Sequence, residues 1–284
     1  MFLVSSISET TYQSEYSVLI SVGLGLIVGI ILALTGAGGG LLAVPLLVFG
    51  VGLRVSEAVP ISLLAIGMAA MLGTGLGLKS GTVRYKAVLL MAGTGMLLSP
   101  FGIWLAKQID NQWLGIIFAI ILLLVSYQTF RKARSNQLMV DAQPDSCTPP
   151  CVLDINSGKF IWTTHCARIM IMSGSVAGLL TGLLGVGGGF VIVPALQRYT
   201  NLVMQSIIST SLAVIALVSM TGVVSSVLTG SLNWVIAIPF CAGALSGIIG
   251  GRLISSRLAG SQLQYSFAVV LVLVAVGMVY KFFL

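Results

Sequence analysis

Long apolar runs separated by short polar turns occupy most of the 284-residue chain. Most of these runs approach the roughly 20 residues that a helix needs to cross the hydrocarbon core of a bilayer. They extend over residues 18–34, 58–78, 87–106, 113–130, 169–184, 206–228, 234–254 and 263–284. The pattern therefore predicts an all-α polytopic membrane protein whose core forms between helices inside the bilayer.

Two glycine-rich stretches interrupt the apolar pattern. Residues 36–45 read GAGGGLLAVP, and residues 185–194 read GVGGGFVIVP. A glycine costs a helix interior about 1 kcal/mol relative to alanine, so each run predicts a broken helix. Backbone groups freed at membrane depth are tolerated only where they are buried in protein or line a wet cavity. Both breaks are therefore expected in the interior of the helix bundle.

The two glycine motifs belong to an internal duplication with an offset of 149 residues (185 − 36). The same offset pairs further identical residues without a gap. The pairs include Gly25 with Gly174, Gly29 with Gly178, Ser62 with Ser211, Gly73 with Gly222, Gly81 with Gly230 and Gly102 with Gly251. The duplication predicts two membrane repeats, 17–132 and 166–284. A polar linker over 133–165 joins them and is expected to be an irregular, cytoplasmic loop.

The path of the chain at each glycine motif decides how the two repeats are related. If the chain turns back at the glycines, each repeat has five membrane elements and the repeats are inverted. If the chain continues across, each repeat has four spans and both face the same way, which is the alternative. The segments after the glycines, 41–53 and 190–198, are too short to cross about 30 Å of hydrocarbon comfortably, so in the inverted arrangement each is expected to be a half-helix or a short tilted helix.

The distribution of Lys and Arg favours inverted repeats with both termini outside. Turning back at the glycines places 11 of the 14 Lys and Arg residues on one side, against 9 for the eight-span alternative. Such cations collect on the cytoplasmic side of membrane proteins. Lys79, Arg84 and Lys86 also surround one tight turn. The duplicated turn carries uncharged residues at these positions, namely Leu228, Asn233 and Val235.

The composition agrees with lipid as the solvent and restricts the possible partners. Apolar residue types make up 57% of the chain and charged types 7%, a balance far from that of soluble domains. The formal net charge of +7 comes from cations at the ends of apolar runs, where they set topology. No nucleic-acid partner is therefore expected.

The glycine motifs are the first candidates for a binding site. A helix that restarts after Gly40 or Gly189 presents unpaired N–H groups and about half a positive charge, which suits an anion. Inverted-repeat transporters use broken helices in this way near the bilayer midplane. The expected site comprises both glycine sets: Gly36, Gly38, Gly39, Gly40, Gly185, Gly187, Gly188 and Gly189. The alternative is that the glycines only let helices cross closely.

Other residues near the breaks are expected to shape or complete the site. Pro45 and Pro194 each remove a backbone hydrogen bond, so they predict kinks in the restarted helices. The hydroxyls of Thr35, Ser62 and Ser211 can donate hydrogen bonds to an oxyanion without an ionic penalty. A serine in a membrane helix also often bonds back to its own helix, which is the alternative for each.

Neither catalysis nor proton coupling is expected. Glu57 and Asp110 lie at the ends of apolar runs, whereas a proton relay usually needs an acid within a span. Leu78 stands where a phosphate loop needs its second glycine, and Leu41 stands where a dinucleotide fold needs its third. One histidine without clustered acids leaves no catalytic triad or metal-hydrolysis centre, and no cofactor is expected.

Three of the four cysteines cluster with the only histidine near the linker. Cys147, Cys151, His165 and Cys166 supply four potential zinc or redox ligands, but their spacing fits no familiar metal site. The sequence therefore predicts free thiols in a cytoplasmic loop and no bound metal. Cys241 lies inside an apolar run, where it is expected to fill space as an ordinary apolar side chain.

The paired motif G-x-G-G-G-x-x-x-x-P, over 36–45 and 185–194, resembles that of the sulfite exporter TauE/SafE family of bacterial membrane permeases. The resemblance covers residues 17–283. It implies a multi-pass protein of the bacterial inner membrane that moves small anions such as sulfite, sulfoacetate or related sulfonates. Export is the expected direction. The linker with Cys147 and Cys151 lies outside the shared motif, so the resemblance implies nothing about it.

The sequence therefore predicts a transporter that holds a small anion between the two glycine breaks and exposes it alternately to each side. Efflux from a negative-inside cell needs no coupling ion, because a monovalent anion gains about 2.3 kcal/mol per 100 mV on leaving. Two rivals remain open: an anion channel, and a non-transporting membrane scaffold or sensor.

Overall fold

The computed structural model describes residues 18–33, 36–138, 164–200, 202–255 and 261–283. Over these ranges the chain forms ten α-helices and one 3₁₀ helix, Gly36–Leu42, without a β-strand. The α-helices are α1 Val18–Ala33, α2 Ala43–Gly50, α3 Val55–Lys79, α4 Tyr85–Gln108, α5 Asn111–Leu138, α6 Thr164–Leu184, α7 Gly189–Tyr199, α8 Met204–Leu228, α9 Trp234–Ser255 and α10 Ser261–Phe283.

Six of the described helices are long and apolar enough to cross a membrane, namely α3, α4, α5, α6, α8 and α9. Three shorter apolar stretches lie in α1, in the first glycine motif with α2, and in α10. The prediction of an all-α polytopic membrane protein is therefore confirmed. Two helices extend into the predicted linker, since α5 continues to Leu138 and α6 begins at Thr164.

The duplicated helices α3 and α8 pack side by side in opposite directions. A Cβ atom placed on Gly77 would lie 2.8 Å from the Cβ of Ser209, and one on Gly67 would lie 3.1 Å from the Cβ of Ser219. Residue numbers fall along α3 as they rise along α8, so the two helices are antiparallel. The end of α3 therefore lies beside the start of α8.

The first helix of each repeat packs against the fourth helix of the other repeat. Between α6 and α4, a Cβ on Gly178 would overlap the backbone of Gly95. Between α1 and α9, a Cβ on Gly29 would overlap the backbone carbonyl of Ala244. The two contacts correspond under the 149-residue offset, because Gly29 pairs with Gly178 and Gly95 with Ala244. Small residues at such crossings let helix backbones approach closely in lipid, where no hydrophobic force drives helices together.

The chain turns back at the second glycine motif, so α6 and α7 form a hairpin. A Cβ on Gly188 would lie 2.8 Å from the carbonyl oxygen of Ala177 on α6. At the other end of the hairpin, a small cavity lies between Met170 and Ser173 of α6 and Leu196 and Tyr199 of α7. The second hairpin is therefore α6, the motif and α7.

The first glycine motif turns the chain back in the same way. A Cβ on Gly39 would lie 2.6 Å from the Cα of Leu32 on α1. A Cβ on Gly50, at the end of α2, would overlap the side chain of Leu24 near the middle of α1. Hence α1, the 3₁₀ helix and α2 form the first hairpin, and the short segments that follow the glycines return toward the side from which they came.

We expect Gly178→Ala to destabilise the protein and Gly93→Ala to leave it unchanged or slightly more stable. The added methyl at 178 meets the backbone of α4, which cannot rotate away, and overpacking of this kind costs about 1–3 kcal/mol. A Cβ on Gly93, also on α4, has nothing within 4 Å. The measurement is thermal unfolding of both variants in detergent. Equal unfolding temperatures would show that the α4–α6 crossing is not tightly packed.

Candidate functional site

The tips of the two hairpins meet at the middle of α3. A Cβ placed on Gly40 would lie 2.7 Å from the carbonyl oxygen of Val186, so the two glycine motifs touch directly. The side chain of Ile66 lies against both tips, 2.9 Å from a Cβ on Gly40 and 2.9 Å from one on Gly187. Ile66 is close to the centre of α3, which runs from Val55 to Lys79. The structure therefore brings the two predicted breaks together halfway along the bundle.

The second tip is a buried turn that leads directly into a new helix. Gly185, Gly187 and Gly188 have φ values of 70°, 78° and 64°, in the left-handed region that favours glycine. Helix α7 begins at Gly189, as predicted, and the carbonyl of Gly188 accepts the first helical hydrogen bonds. The N-terminus of α7, with its partial positive charge, therefore lies at the meeting point of the tips.

The first tip is wound more tightly than the second. The chain forms a 3₁₀ helix over Gly36–Leu42, and α2 begins only at Ala43. The prediction that an α-helix restarts directly after Gly40 is therefore wrong for this copy. Gly39 is pressed against Leu32 and Gly40 against Val186, and a 3₁₀ helix is a narrower winding than an α-helix.

The two prolines occupy different positions in the restarted helices. Pro45 is the third residue of α2, where a backbone N–H has no helical partner, so the proline removes no hydrogen bond there. Pro194 is the sixth residue of α7, in the helix interior, where a proline does remove one. A kink therefore stays a prediction for Pro194, whereas the position of Pro45 does not require one.

Ser62 connects α3 to the second tip. Its fully buried hydroxyl lies 2.8 Å from the carbonyl oxygen of Gly185 and 2.8 Å from that of Val59. The donated hydrogen bond satisfies a carbonyl that the glycine break has released from its helix. In this conformation Ser62 therefore positions the break, and its proton is already engaged.

Of the other two predicted hydroxyls, one bonds within its own helix and the other lies outside the described residues. Ser211 is buried and donates to the carbonyl of Ile208 in its own helix, at 2.8 Å. Its neighbours serve the turn between α3 and α4, since Ser209 accepts a hydrogen bond from Thr82 at 3.0 Å. Thr35 lies outside the described residues.

Two serines that the sequence analysis missed are buried without a hydrogen-bond partner. Ser219 and Ser99 are both 0% exposed, and neither hydroxyl has a partner in the described structure. The Ser219 hydroxyl lies 3.9 Å from the position of a Cβ on Gly187, beside the second tip. A weak sequence signal existed, because Ser219 follows Ser211 by eight residues, a spacing that keeps both within one broad stripe of α8.

The site contains no buried charged side chain. Among residues whose burial is described, every buried polar side chain is a serine or a threonine. The polar groups near the tips are therefore hydroxyls, backbone groups and the start of α7. Such an arrangement has donors for an anion but only the partial charge of a helix terminus to balance it.

The cysteines differ from the prediction at one position. Cys166, near the start of α6, is buried and disulfide-bonded, so the prediction of a free thiol is wrong there. A disulfide sulfur is also not available as a thiolate ligand for zinc. Cys241 is free and buried, as expected. Cys147 and Cys151 lie outside the described residues.

Comparison with known proteins identifies the chain's relatives. The model of the sulfite exporter TauE/SafE family matches residues 21–278. The probable membrane transporter protein YunE of Bacillus subtilis is 27% identical over 272 residues, which cover 93% of this chain and 98% of the relative. A probable membrane transporter protein of Xylella fastidiosa is 27% identical over 271 residues, with 93% and 96% coverage. No solved structure matches the chain.

The second tip predicts a large difference between Gly188→Ala and Gly230→Ala. Both glycines have positive φ, 64° and 62°, so each substitution costs about 1–2 kcal/mol in backbone strain. A Cβ at 188 also crowds Thr181 and Ala177, whereas a Cβ at 230 has nothing within 4 Å. We therefore expect Gly188→Ala to lower the free energy of unfolding by a further 1–3 kcal/mol, approximately. Denaturant unfolding in detergent measures this difference, and equal losses would contradict the crowded tip.

Proposed function

Because the chain belongs to the sulfite exporter TauE/SafE family, we propose that it exports small anions such as sulfite, sulfoacetate or related sulfonates across the bacterial plasma membrane. The family name supports the sulfur-containing substrate and the direction. Relatives that cover almost the whole chain are named probable membrane transporters. The resting negative-inside potential drives a monovalent anion outward, at about 2.3 kcal/mol per 100 mV.

The observation that carries the proposal is the unpartnered Ser219 hydroxyl beside the start of α7. A buried hydroxyl without a partner costs about 1–3 kcal/mol, and an anion bound at the tips would accept its hydrogen bond. We place the anion between the two glycine sets, Gly36 to Gly40 and Gly185 to Gly189. Ser62 supports this site by joining α3 to the second tip, whereas Ser211 bonds within α8.

The arrangement of the helices supports inverted repeats. The duplicated helices α3 and α8 are antiparallel, and the first helix of each repeat packs against the fourth helix of the other. The chain turns back at both motifs, which is the path that gives inversion. In our proposal the two hairpins enter from opposite faces, and rocking of one repeat against the other exposes the tips alternately.

The charge distribution supports a cytoplasmic location for the end of the bundle that carries Lys79 and Arg84. Cys166 lies at the same end, because α6 runs parallel to α4: Gly174 contacts Met91 and Gly182 contacts Ser99. Disulfides are rare in the cytoplasm, so the disulfide and the charge bias argue for opposite orientations. We give more weight to the 11 of 14 Lys and Arg residues, and the labelling experiment below decides between the two.

Single cysteines at Ser80 and Thr229 test inversion and orientation together. The two residues correspond under the 149-residue offset and are both exposed, at the ends of α3 and α8. We expect an impermeant thiol reagent to label Ser80→Cys in inside-out vesicles and Thr229→Cys in intact cells, each measured above the wild-type background. Labelling of both from the same side would support the eight-span alternative with parallel repeats. Labelling from the reverse sides would keep the inversion and reverse the orientation.

Radiolabelled sulfite and sulfoacetate flux into proteoliposomes, with an imposed potential, tests transport. We expect saturable flux that Ser219→Ala weakens roughly tenfold to hundredfold in apparent affinity, because a hydrogen bond to an anion contributes about 1.5–3 kcal/mol. Removing an unpartnered hydroxyl should not lower the unfolding temperature. Ser226→Ala is the matched control, since that equally buried hydroxyl on α8 donates to the carbonyl of Gly222.

Each other outcome of the flux experiment has a distinct meaning. Flux that fails to saturate or to exchange would indicate an anion channel. If neither anion is transported by protein that unfolds cooperatively, the result would favour the non-transporting membrane scaffold or sensor. Flux that Ser219→Ala and Ser226→Ala change equally would move the anion site away from the hairpin tips.

A further inference from the structure

The second unpartnered serine, Ser99 of α4, faces α8 about one turn beyond Ser219. Its hydroxyl is 3.2 Å from the position of a Cβ on Gly222. Gly222 follows Ser219 by three residues, or about 4.5 Å along the helix axis. Ser99 therefore meets α8 about one turn beyond Ser219, while the Cβ of Ser219 lies near Gly67 of α3 and its hydroxyl beside the second hairpin tip. We call these two hydroxyls, beginning with Ser219 at the tip, the polar path.

Neighbouring hydroxyls show that this lack of partners is specific. Thr181 donates to the carbonyl of Ala177 at 2.6 Å, and Ser226 donates to that of Gly222 at 2.9 Å. Bonding back to the preceding turn is the ordinary way for a buried helix hydroxyl to satisfy itself. Ser99 and Ser219 do not bond in this way although both lie within helices, so their donors are available to a ligand.

The path is present on one side of the centre only. Under the 149-residue offset, Ser219 corresponds to Ala70 (219 − 149) and Ser99 corresponds to Ile248 (99 + 149). For each serine, the equivalent position in the other repeat therefore carries no hydroxyl. One anion site displaced toward α4 and α8 fits this asymmetry better than two symmetric sites do.

The charges around the path limit what it can hold. No Lys, Arg or His is buried among the residues whose burial is described. A helix N-terminus supplies about half a positive charge, and two hydroxyls add dipoles without net charge. One negative charge can be balanced in this way, whereas the second charge of a dianion would be buried without compensation.

We propose that Ser99, Ser219 and the start of α7 form a site for an oxyanion head group that carries a single negative charge. Sulfonates and hydrogensulfite have such head groups, and the site excludes dianionic groups such as sulfate. This inference rests on the proposed function and names the charge class of its substrate. Ser99 is a binding residue that the glycine motif does not contain.

Thermal stabilisation of the purified protein measures binding without requiring transport, since a ligand that binds only the folded state raises stability with its concentration. The probes are methanesulfonate, sulfate and methyl phosphate, at pH 5.5 and pH 7.5. We expect methanesulfonate to stabilise equally at both pH values and sulfate at neither. Methyl phosphate loses its second proton near pH 6, so its apparent affinity should fall about 25-fold between the two.

The matched variants are Ser99→Ala and Ser226→Ala, both at fully buried serines beside Gly222. We expect Ser99→Ala to weaken methanesulfonate binding about tenfold without lowering the unfolding temperature of the ligand-free protein. Ser226→Ala should keep wild-type affinity. If Ser99→Ala binds methanesulfonate with wild-type affinity, Ser99 is not part of the site.

The binding and flux experiments separate the two proposals. Sulfate that binds as tightly as methanesulfonate, or methyl phosphate that binds better at pH 7.5, would overturn the monoanion inference even if sulfite flux is present. Failure of methanesulfonate to stabilise the protein would overturn it as well. Binding with the expected charge preference, but no flux of any anion, would keep the site and reject the transport proposal.

Discussion

Backbone contact between helices at glycine is the interaction on which the rest of the structure depends. Where Gly95 meets Gly178 and Gly29 meets Ala244, no side chain separates the two helices. In lipid this closeness provides the dispersion contacts that hold helices together. The same contacts join α6 to α4 and α1 to α9, so they fasten the two repeats to each other. Both hairpins are thereby held with their tips at the centre of the bundle.

The centre of the bundle has to satisfy backbone groups that no helix satisfies. Ser62 performs this role at the second tip by donating to the carbonyl of Gly185, because a free carbonyl at this depth has no water to bond. At the first tip the backbone forms a 3₁₀ helix over Gly36–Leu42, in which backbone groups bond to each other three residues apart. Two copies of one motif thus have different local structures, and only the second leads directly into an α-helix, which begins at Gly189.

The proposed binding site, built from hydroxyls and a helix terminus, has consequences for transport. Ser219 and Ser99 are buried hydroxyls without a fixed charge, so the site that we propose would hold an anion through hydrogen bonds and the partial charge of the helix terminus. A buried arginine would bind an oxyanion more strongly, through paired hydrogen bonds and a full charge. Its own burial would also be costly whenever the site is empty. The proposed neutral site would avoid that cost in each step of the alternating cycle that we propose.

The sequence by itself determined the membrane class, the duplication and the two helix breaks, since each follows from local composition and glycine propensity. The reversal of the chain at both motifs and the contact of Gly40 with Val186 came only from tertiary structure. The same is true of the engaged hydroxyl of Ser62, the free hydroxyls of Ser99 and Ser219, and the disulfide of Cys166. Whether a polar group has a partner depends on which residues of other helices face it, and local sequence does not contain that information.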